Sequence, residues 1–260
     1  MPADLVVVHS PLLRGVLLFV AGAVASGLNA VGGGGSLVTF PTLVALGVPV
    51  LSANATNSAA LWPGSLGSAL GLIKPLRTSF SALPKLLLPT VVGAPIGAEL
   101  LLLGGEQVFR WAVPPLILLS TALLAFQPAL RKLSHKGRHI SPWLGMLLQL
   151  GIAIYGGYFG AGMGILMLAL FGLFVDGDIH AHNAVKAWLG LVINLVASAV
   201  LLAKGLVDLP AALWVSTGAI VGGYLTARVM QRIEPQRLRR LVVVLGVLLC
   251  VWFFARALGV

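Results

Sequence analysis

The sequence predicts an all-α membrane protein made of two inverted repeats, each with about five transmembrane or re-entrant helical segments. Three observations lead to this prediction: the composition, the spacing of apolar runs, and a glycine cluster that occurs once in each half. Hydrophobic residues make up 58% of the 260 residues and charged residues only 9%. A soluble protein of this size needs more polar side chains to cover its surface. The composition therefore excludes an ordinary soluble domain.

Ten apolar runs follow one another, five in each half. Most approach the roughly 20 residues that a helix needs to cross a bilayer. The second run of each half is shorter, so it either spans the membrane or re-enters it as a half-helix. We expect a first membrane repeat at residues 1–127, a basic cytoplasmic linker at 128–141 and a second repeat at 142–260. The runs lie at about 12–31, 36–51, 55–73, 84–103, 107–127, 142–160, 162–175, 184–203, 210–230 and 238–258.

Glycines concentrate where the first run of each half ends. The two clusters are GLNAVGGG at 27–34 and GYFGAGMG at 157–164. Such clusters let a helix break inside the bilayer, and paired breaks at matching places are typical of transporters. A helix that begins at such a break presents N–H donors and a partial positive charge, which suits an anion. Tight helix packing alone is the alternative explanation for these glycines.

Charged residues predict how the two halves are oriented. In the first half, basic residues lie between the third and fourth runs, whereas in the second half they lie between the fourth and fifth runs. Basic loops tend to be cytoplasmic, so matching loops of the two halves lie on opposite faces, as in an inverted repeat. The linker is then cytoplasmic and both termini lie outside. The basic residues concerned are Lys74, Arg77, Lys85, Arg131, Lys132, Lys136, Arg138, Arg232, Arg237, Arg239 and Arg240.

Polar residues open the third run of each half, and they align in pairs. Asn54 aligns with Asn183, and Asn57 aligns with Lys186. Capping of a helix start is an alternative explanation for Asn54 and Asn183. A lysine costs on the order of 3 kcal/mol at the bilayer centre, so Lys186 should snorkel to the surface, pair, or face an aqueous cavity. We expect it to attract an anionic substrate.

The predicted substrate site joins these polar residues to the two glycine clusters. No nucleotide loop, nucleophile motif or zinc-hydrolase pattern is found, so we expect no enzyme activity and no cofactor. Other polar residues in the apolar runs, such as Asn29, Ser65 and Asn194, either bind substrate or bridge helices. The predicted set is Lys186, Asn54, Asn57, Asn183, Gly32, Gly33, Gly34, Gly35, Ser36, Gly160, Gly162 and Gly164.

Three other features have weaker functional interpretations. Glu99 is the one acid well inside an apolar run and is a candidate for proton coupling, although it could also reach water at a helix end. His180 and His182 lie beside two aspartates, but the arrangement lacks a convincing set of metal ligands. The lone Cys250 excludes a disulfide within the chain. We therefore expect no metal site.

The net charge of +10 bears on the partners of the chain. Because the basic residues cluster between apolar runs, they fit cytoplasmic loops that meet anionic lipid headgroups better than they fit nucleic acid. The expected partners are a small anionic substrate, membrane lipid and a coupling ion such as H⁺. We leave open whether the protein is a homodimer.

Three motifs resemble the TauE/SafE sulfite exporter family over nearly the whole chain: SGLNAVGGG at 26–34, ANATNS at 53–58 and VGAPIGA at 92–98. The resemblance implies a secondary transporter of anionic sulfur compounds such as sulfite and organosulfonates, driven by an ion gradient, in the cell inner membrane. Lys186 departs from the small residues that the family often has there. A small carboxylate is therefore an alternative substrate, and a passive anion channel or, further off, a membrane enzyme or assembly factor is an alternative function.

Overall fold

The fold is helical throughout the residues that the computed structural model describes, which are 10–31, 34–134, 140–229 and 235–258. This confirms the predicted all-α class. The helices are α1 (Pro11–Val31), α2 (Ser36–Ala45), α3 (Val50–Gly71), α4 (Ile73–Leu76), α5 (Ala82–Ser134), α6 (Pro142–Tyr158), α7 (Met163–Phe171), α8 (Ile179–Ala203), α9 (Leu209–Val229) and α10 (Pro235–Leu258), with a 3₁₀ turn at Arg77–Ser79.

Each predicted apolar run coincides with helix. The fourth and fifth runs form two helical arms that Gly105 joins directly, with no loop between them, and the pair is here called α5. Gly105 has φ 65° and ψ −175°, a backbone conformation that glycine adopts without steric cost. The kink divides α5 into a first arm, residues 82–104, and a second arm, residues 106–134.

The exterior of the bundle is apolar, as expected of a multi-pass membrane protein. Leu103, Trp143 and Leu88 are 82%, 73% and 69% exposed. Large apolar side chains are stable on such a surface where lipid rather than water surrounds them. Among the described residues, three helical stretches are long and apolar enough to cross a membrane, and they are Pro11–Asn29, Ala82–Leu130 and Ile179–Ala203.

One end of the bundle, here called the Lys74 end, carries the connection between α3 and α5. The 3₁₀ turn of this connection reaches the segment after α7, because Ser79 Oγ donates to the backbone oxygen of Asp176. The backbone N–H of Ile140 donates to the oxygen of Leu173 at 3.2 Å. The start of α6 and the residues that follow α7 therefore lie together at this end.

The opposite end, here called the Glu106 end, carries the kink of α5 and the start of α3. The two carboxylate oxygens of Glu106 accept the backbone N–H groups of Val50 and Leu51 at 3.2 and 3.1 Å. The backbone N–H of Asp208, in the connection between α8 and α9, donates to Thr56 Oγ1 of α3 at 2.9 Å. Glu106 thus caps α3, and the connection before α9 lies at the same end.

Each of the two short helices, α2 and α7, runs back towards the end of the bundle at which the helix before it begins. Helix α7 returns to the Lys74 end, where α6 begins. Arg14, near the start of α1, pairs with Asp208 at 3.4 Å, so α1 begins at the Glu106 end, and α2 leads back there to the start of α3. Each short helix and the helix before it are here called a re-entrant hairpin, because the chain turns back inside the bundle.

Glycines let two pairs of helices touch backbone to backbone. A methyl group placed on Gly97 of α5 would lie 2.0 Å from the oxygen of Ile154 in α6, and one on Gly157 would lie 2.0 Å from the oxygen of Ala94. Helix α9 meets α1 in the same way, because a methyl group on Gly218 would lie 1.9 Å from the oxygen of Phe19. No side chain fits at these contacts.

An aromatic cluster fills the core between the cavity described below and the Glu106 end. Phe40 of α2 packs edge-on against Phe159 at a ring-centroid distance of 5.5 Å and against Phe109 at 6.3 Å. It also stacks on Phe253 of α10 at 5.8 Å. All four rings are buried, so this part of the interior is closed.

Candidate functional site

A cavity lies where the two breaks of the re-entrant hairpins face each other. It holds about 800 Å³ of empty space, including open solvent at its mouth. The backbone of both breaks lines it, and α3 and α8 form the walls. Leu61, Leu72, Met163 and Met167 give it an apolar part. Its polar side chains are Ser26, Asn29, Ser36, Ser65, Asn183, Lys186 and Asn194.

The first break precedes α2 and is held by side chains from α1 and α3. Gly34 has a φ of 99°, which favours glycine. The N–H of Gly35 donates to Asn29 Oδ1 at 2.9 Å. Behind the first residue of α2, Asn57 Nδ2 donates to Ser36 Oγ at 3.1 Å, and Thr39 Oγ1 donates to Asn57 Oδ1. Asn57 therefore orients Ser36, which faces the cavity.

The second break precedes α7 and is held by two hydroxyl groups. The oxygen of Ala161 accepts Ser120 Oγ at 2.8 Å and the hydroxyl of Tyr155. Gly162 is the N-cap of α7 with a φ of 79°. The N–H groups of Met163 and Ile165 donate to the oxygens of Gly160 and Gly162 at 3.2 and 3.0 Å, so the break is closed by its own backbone. The dipole of α7 begins beside the cavity and favours negative charge there.

Lys186 of α8 brings a positive charge to the wall of the cavity. The residue is only 7% exposed, and its Nζ donates to the backbone oxygen of Asn29 at 3.3 Å. Its alkyl chain passes Gly164, the second residue of α7. One turn earlier on α8, Asn183 Oδ1 is buried and has no hydrogen-bond partner among the described residues. An anionic ligand oxygen in the cavity would accept from Lys186, and a ligand hydroxyl would donate to Asn183 Oδ1.

The structure brings seven of the predicted residues to the cavity and places others behind its wall. Asn54 Nδ2 donates to the backbone oxygen of Tyr158 at 2.9 Å and so holds the end of α6. Gly32 and Gly33 lie outside the described residues. Glu99 lies exposed on α5, away from the cavity lining, and its coupling role stays a prediction. The seven lining residues are Gly34, Ser36, Gly160, Gly162, Gly164, Asn183 and Lys186.

The predicted set omitted several residues that line the cavity. Asn29, Ser65 and Asn194 stood out in the sequence only as polar groups in apolar runs. For Asn29, the signal was its place inside the first glycine cluster. Ser26 lies directly before that cluster, whereas the apolar side chains of the lining carried no signal that separates them from the core.

The acids and histidines near the start of α8 lie around a helix cap that Asp178 forms. Asp178 Oδ1 accepts the N–H of Ala181 at 2.9 Å, and this bond lowers the pKa of Asp178, with a smaller contribution from His180. His182 is buried, with Nε2 2.8 Å from the oxygen of Val175. Within the described ranges, no group of three or more histidines, cysteines and acids could hold a metal ion.

Known proteins similar to this chain are membrane transporters by name. A family model described as "Sulfite exporter TauE/SafE" matches residues 18–253. A "Probable membrane transporter protein" of Haemophilus influenzae is 26% identical over 88% of this chain and 90% of its own length. The "Probable membrane transporter protein YfcA" of Escherichia coli K12 is 28% identical over 90% of this chain and 85% of its own. No solved structure gives a significant match.

Proposed function

Because the chain belongs to the TauE/SafE sulfite exporter family, we propose that it is a secondary active transporter that carries a small anion across the cell inner membrane by alternating access. The proposed substrate is a sulfur oxyanion or organosulfonate, with a small carboxylate as the alternative. The observation that carries this proposal is the buried Lys186 at the wall of a cavity between two helix breaks.

The charge of this cavity favours an anion. A lysine deep in an apolar bundle is costly unless it faces water or a negative charge. The first turns of α2 and α7 add the partial positive charge of their helix dipoles at the same cavity. Lys186 would attract the anion, Asn183 and Ser36 would orient its oxygens, and the dipoles of α2 and α7 would add to the attraction. Asn54 and Asn57 would support this site from behind.

The inverted repeat is part of the same proposal. The connection between the third and fourth segments lies at the Lys74 end in the first half and at the Glu106 end in the second half. The packing of α1 against α9 matches that of α6 against the first arm of α5. Both features are expected of two oppositely oriented repeats, an arrangement that many transporters with alternating access have. The basic residues at the Lys74 end favour its placement in the cytoplasm.

Replacement of Lys186 tests the proposed function. In proteoliposomes, Lys186→Gln should reduce the uptake of labelled sulfite about 10- to 100-fold, because a charge-assisted hydrogen bond contributes about 1.5–3 kcal/mol. Lys204→Gln, which removes an exposed lysine outside the cavity, is the matched control and should transport like the wild type. Melting temperatures of both variants show whether they are folded.

The same assay separates a carrier from a channel. A carrier coupled to an ion gradient concentrates sulfite inside the vesicles against its electrochemical gradient, whereas a channel only equilibrates it. Equilibration without accumulation under every imposed ion gradient would favour the channel. Normal transport by folded Lys186→Gln protein would remove Lys186 from the site.

A further inference from the structure

The side chain of Lys186 passes close to Gly164, which has no side chain of its own. A methyl group built on Gly164 would lie 3.2 Å from Cδ of Lys186, 3.8 Å from Cγ and 3.9 Å from Cε. The first of these distances is shorter than an ordinary carbon contact of about 3.5–4.0 Å. An alanine at this position would therefore push the lysine chain away from the first turn of α7 by a few tenths of an ångström.

The far end of this lysine is held by the other half of the protein. Its Nζ donates to the backbone oxygen of Asn29 at 3.3 Å. The side chain of Asn29 in turn accepts the N–H of Gly35 at 2.9 Å, just before α2 begins. Asn29 thus ties the ammonium group to the first break, while Gly164 sets its path along the second.

The first half has a neutral contact at the matching place. Asn57 aligns with Lys186 in the sequence, and it donates to the hydroxyl of Ser36, the first residue of α2, at 3.1 Å. In the same alignment Gly164 matches Gly35, which also lacks a side chain, and the residue on α3 is a short amide that ends at Ser36. Of these two contacts, the one in the second half therefore brings the charged side chain, Lys186, to the cavity.

We propose that Gly164 and Asn29 are positioning residues of this transporter, because together they place the ammonium group of Lys186 in the cavity. The anionic group of the substrate then binds on the α7 and α8 side, and Ser36 meets it from the side of α2. This inference rests on the proposed function. It assigns the charge recognition to one half of the cavity.

Gly164 can be replaced without straining the backbone. Unlike Gly160 and Gly162, it does not have a positive φ, so an alanine can adopt its conformation. The three atoms nearest to the new methyl group belong to Lys186. Gly151→Ala is the matched control, because Gly151 is a helical glycine outside the cavity lining and nothing lies within 4 Å of its added methyl group.

A double-mutant cycle on the purified full-length protein tests the proposal, with the sulfite dissociation constant as the readout. Gly164→Ala should weaken binding about 10-fold and Gly151→Ala less than about 2-fold. Gly164→Ala combined with Lys186→Gln should bind no more weakly than Lys186→Gln alone, since the methyl group acts through the lysine. Asn29→Ala keeps the backbone oxygen that accepts from Lys186 but removes the side chain that fixes this oxygen against Gly35. Its effect should therefore also depend on Lys186, and it provides a second cycle if the alanine at 164 prevents folding.

The outcomes separate this inference from the proposed function. If Lys186→Gln weakens binding but Gly164→Ala binds like the wild type, or if the losses multiply in the double variants, the inference is wrong and the proposed function stands. If the wild-type protein binds neither sulfite nor a sulfonate such as ethanesulfonate, the proposed substrate class is wrong, and the inference falls with it.

Discussion

Asp178 shows how a single carboxylate fixes the start of the helix that carries Lys186. It is exposed at the Lys74 end and accepts the N–H of Ala181 at 2.9 Å. The bond lowers its pKa in the folded protein below the usual 3.8. The ionised form is therefore the one that stabilises the fold.

Replacement of Asp178 by alanine should lower the melting temperature at pH 7, because the first turn of α8 loses its cap. Since the folded pKa is lowered, this contribution is complete above the unfolded pKa and is lost as the pH falls through the folded value. The difference between Asp178→Ala and the wild type should therefore shrink in thermal unfolding scans below pH 4. Asp178→Asn keeps an acceptor and should stay close to the wild type at pH 7; a loss as large as that of alanine would contradict the capping role.

The roles of some single residues can be predicted from the sequence, whereas those of others cannot. Lys186 could be predicted because a charge in an apolar run is costly wherever that run packs. The contact between Lys186 and Asn29 joins residues 157 positions apart, so it exists only in the fold. Asn57 was predicted to bind substrate, yet it lies behind Ser36, and only the packing of α2 against α3 reveals that arrangement.

At the scale of the elements, glycine contacts determine which helices pair. Gly157 of α6 touches the first arm of α5, whereas Gly151 of the same helix has nothing within 4 Å of an added methyl group. A change from glycine to alanine can therefore be compared at two positions of one helix, one in tight contact with another helix and one in open space. The comparison therefore separates helix packing from helix propensity.

Gly157→Ala should destabilise the protein by about 1–3 kcal/mol, because the methyl group forces two backbones apart. Gly151→Ala should be neutral or stabilise by up to about 1 kcal/mol, since alanine favours the helix. Thermal unfolding of the detergent-purified proteins measures both changes. Equal melting temperatures for the two variants would mean that the close helix contact contributes nothing.

Element boundaries followed from the sequence better than element connections did. Apolar length placed α1, α6 and α8 within a few residues, because hydrophobic burial sets the extent of a membrane helix. The continuity of α5 through Gly105 could not be predicted, since a glycine between two apolar runs also fits a loop. The return of α7 to the Lys74 end depends on the long-range bond between Ile140 and Leu173.

At the scale of the whole molecule, the two ends of the bundle make a topology test simple. Ser81 is exposed at the Lys74 end, and Lys204 is exposed in the connection that leads to Asp208 at the Glu106 end. Both positions tolerate a cysteine probe because neither side chain is buried. Cys250 is the single native cysteine and is buried, so a Cys250→Ala background removes it.

Ser81→Cys should react with a membrane-impermeant maleimide only in inside-out vesicles, and Lys204→Cys only in right-side-out vesicles, because matching loops of an inverted repeat lie on opposite faces. Gel shift of the labelled protein measures the reaction. Detergent-solubilised samples, in which both sites must react, are the control. Labelling of both positions from the same side would contradict the inverted repeat.

The two hydrogen bonds from α3 to Glu106 couple the start of α3 to the kink of α5. The carboxylate follows directly after the bend of α5, and it holds the first two amides of α3 from there. Any change in the angle between the two arms of α5 would pull on the first turn of α3, and with it on Asn54 and Asn57 four and seven residues further along. Bending of α5 at Gly105 would then change the shape of the cavity at the same time.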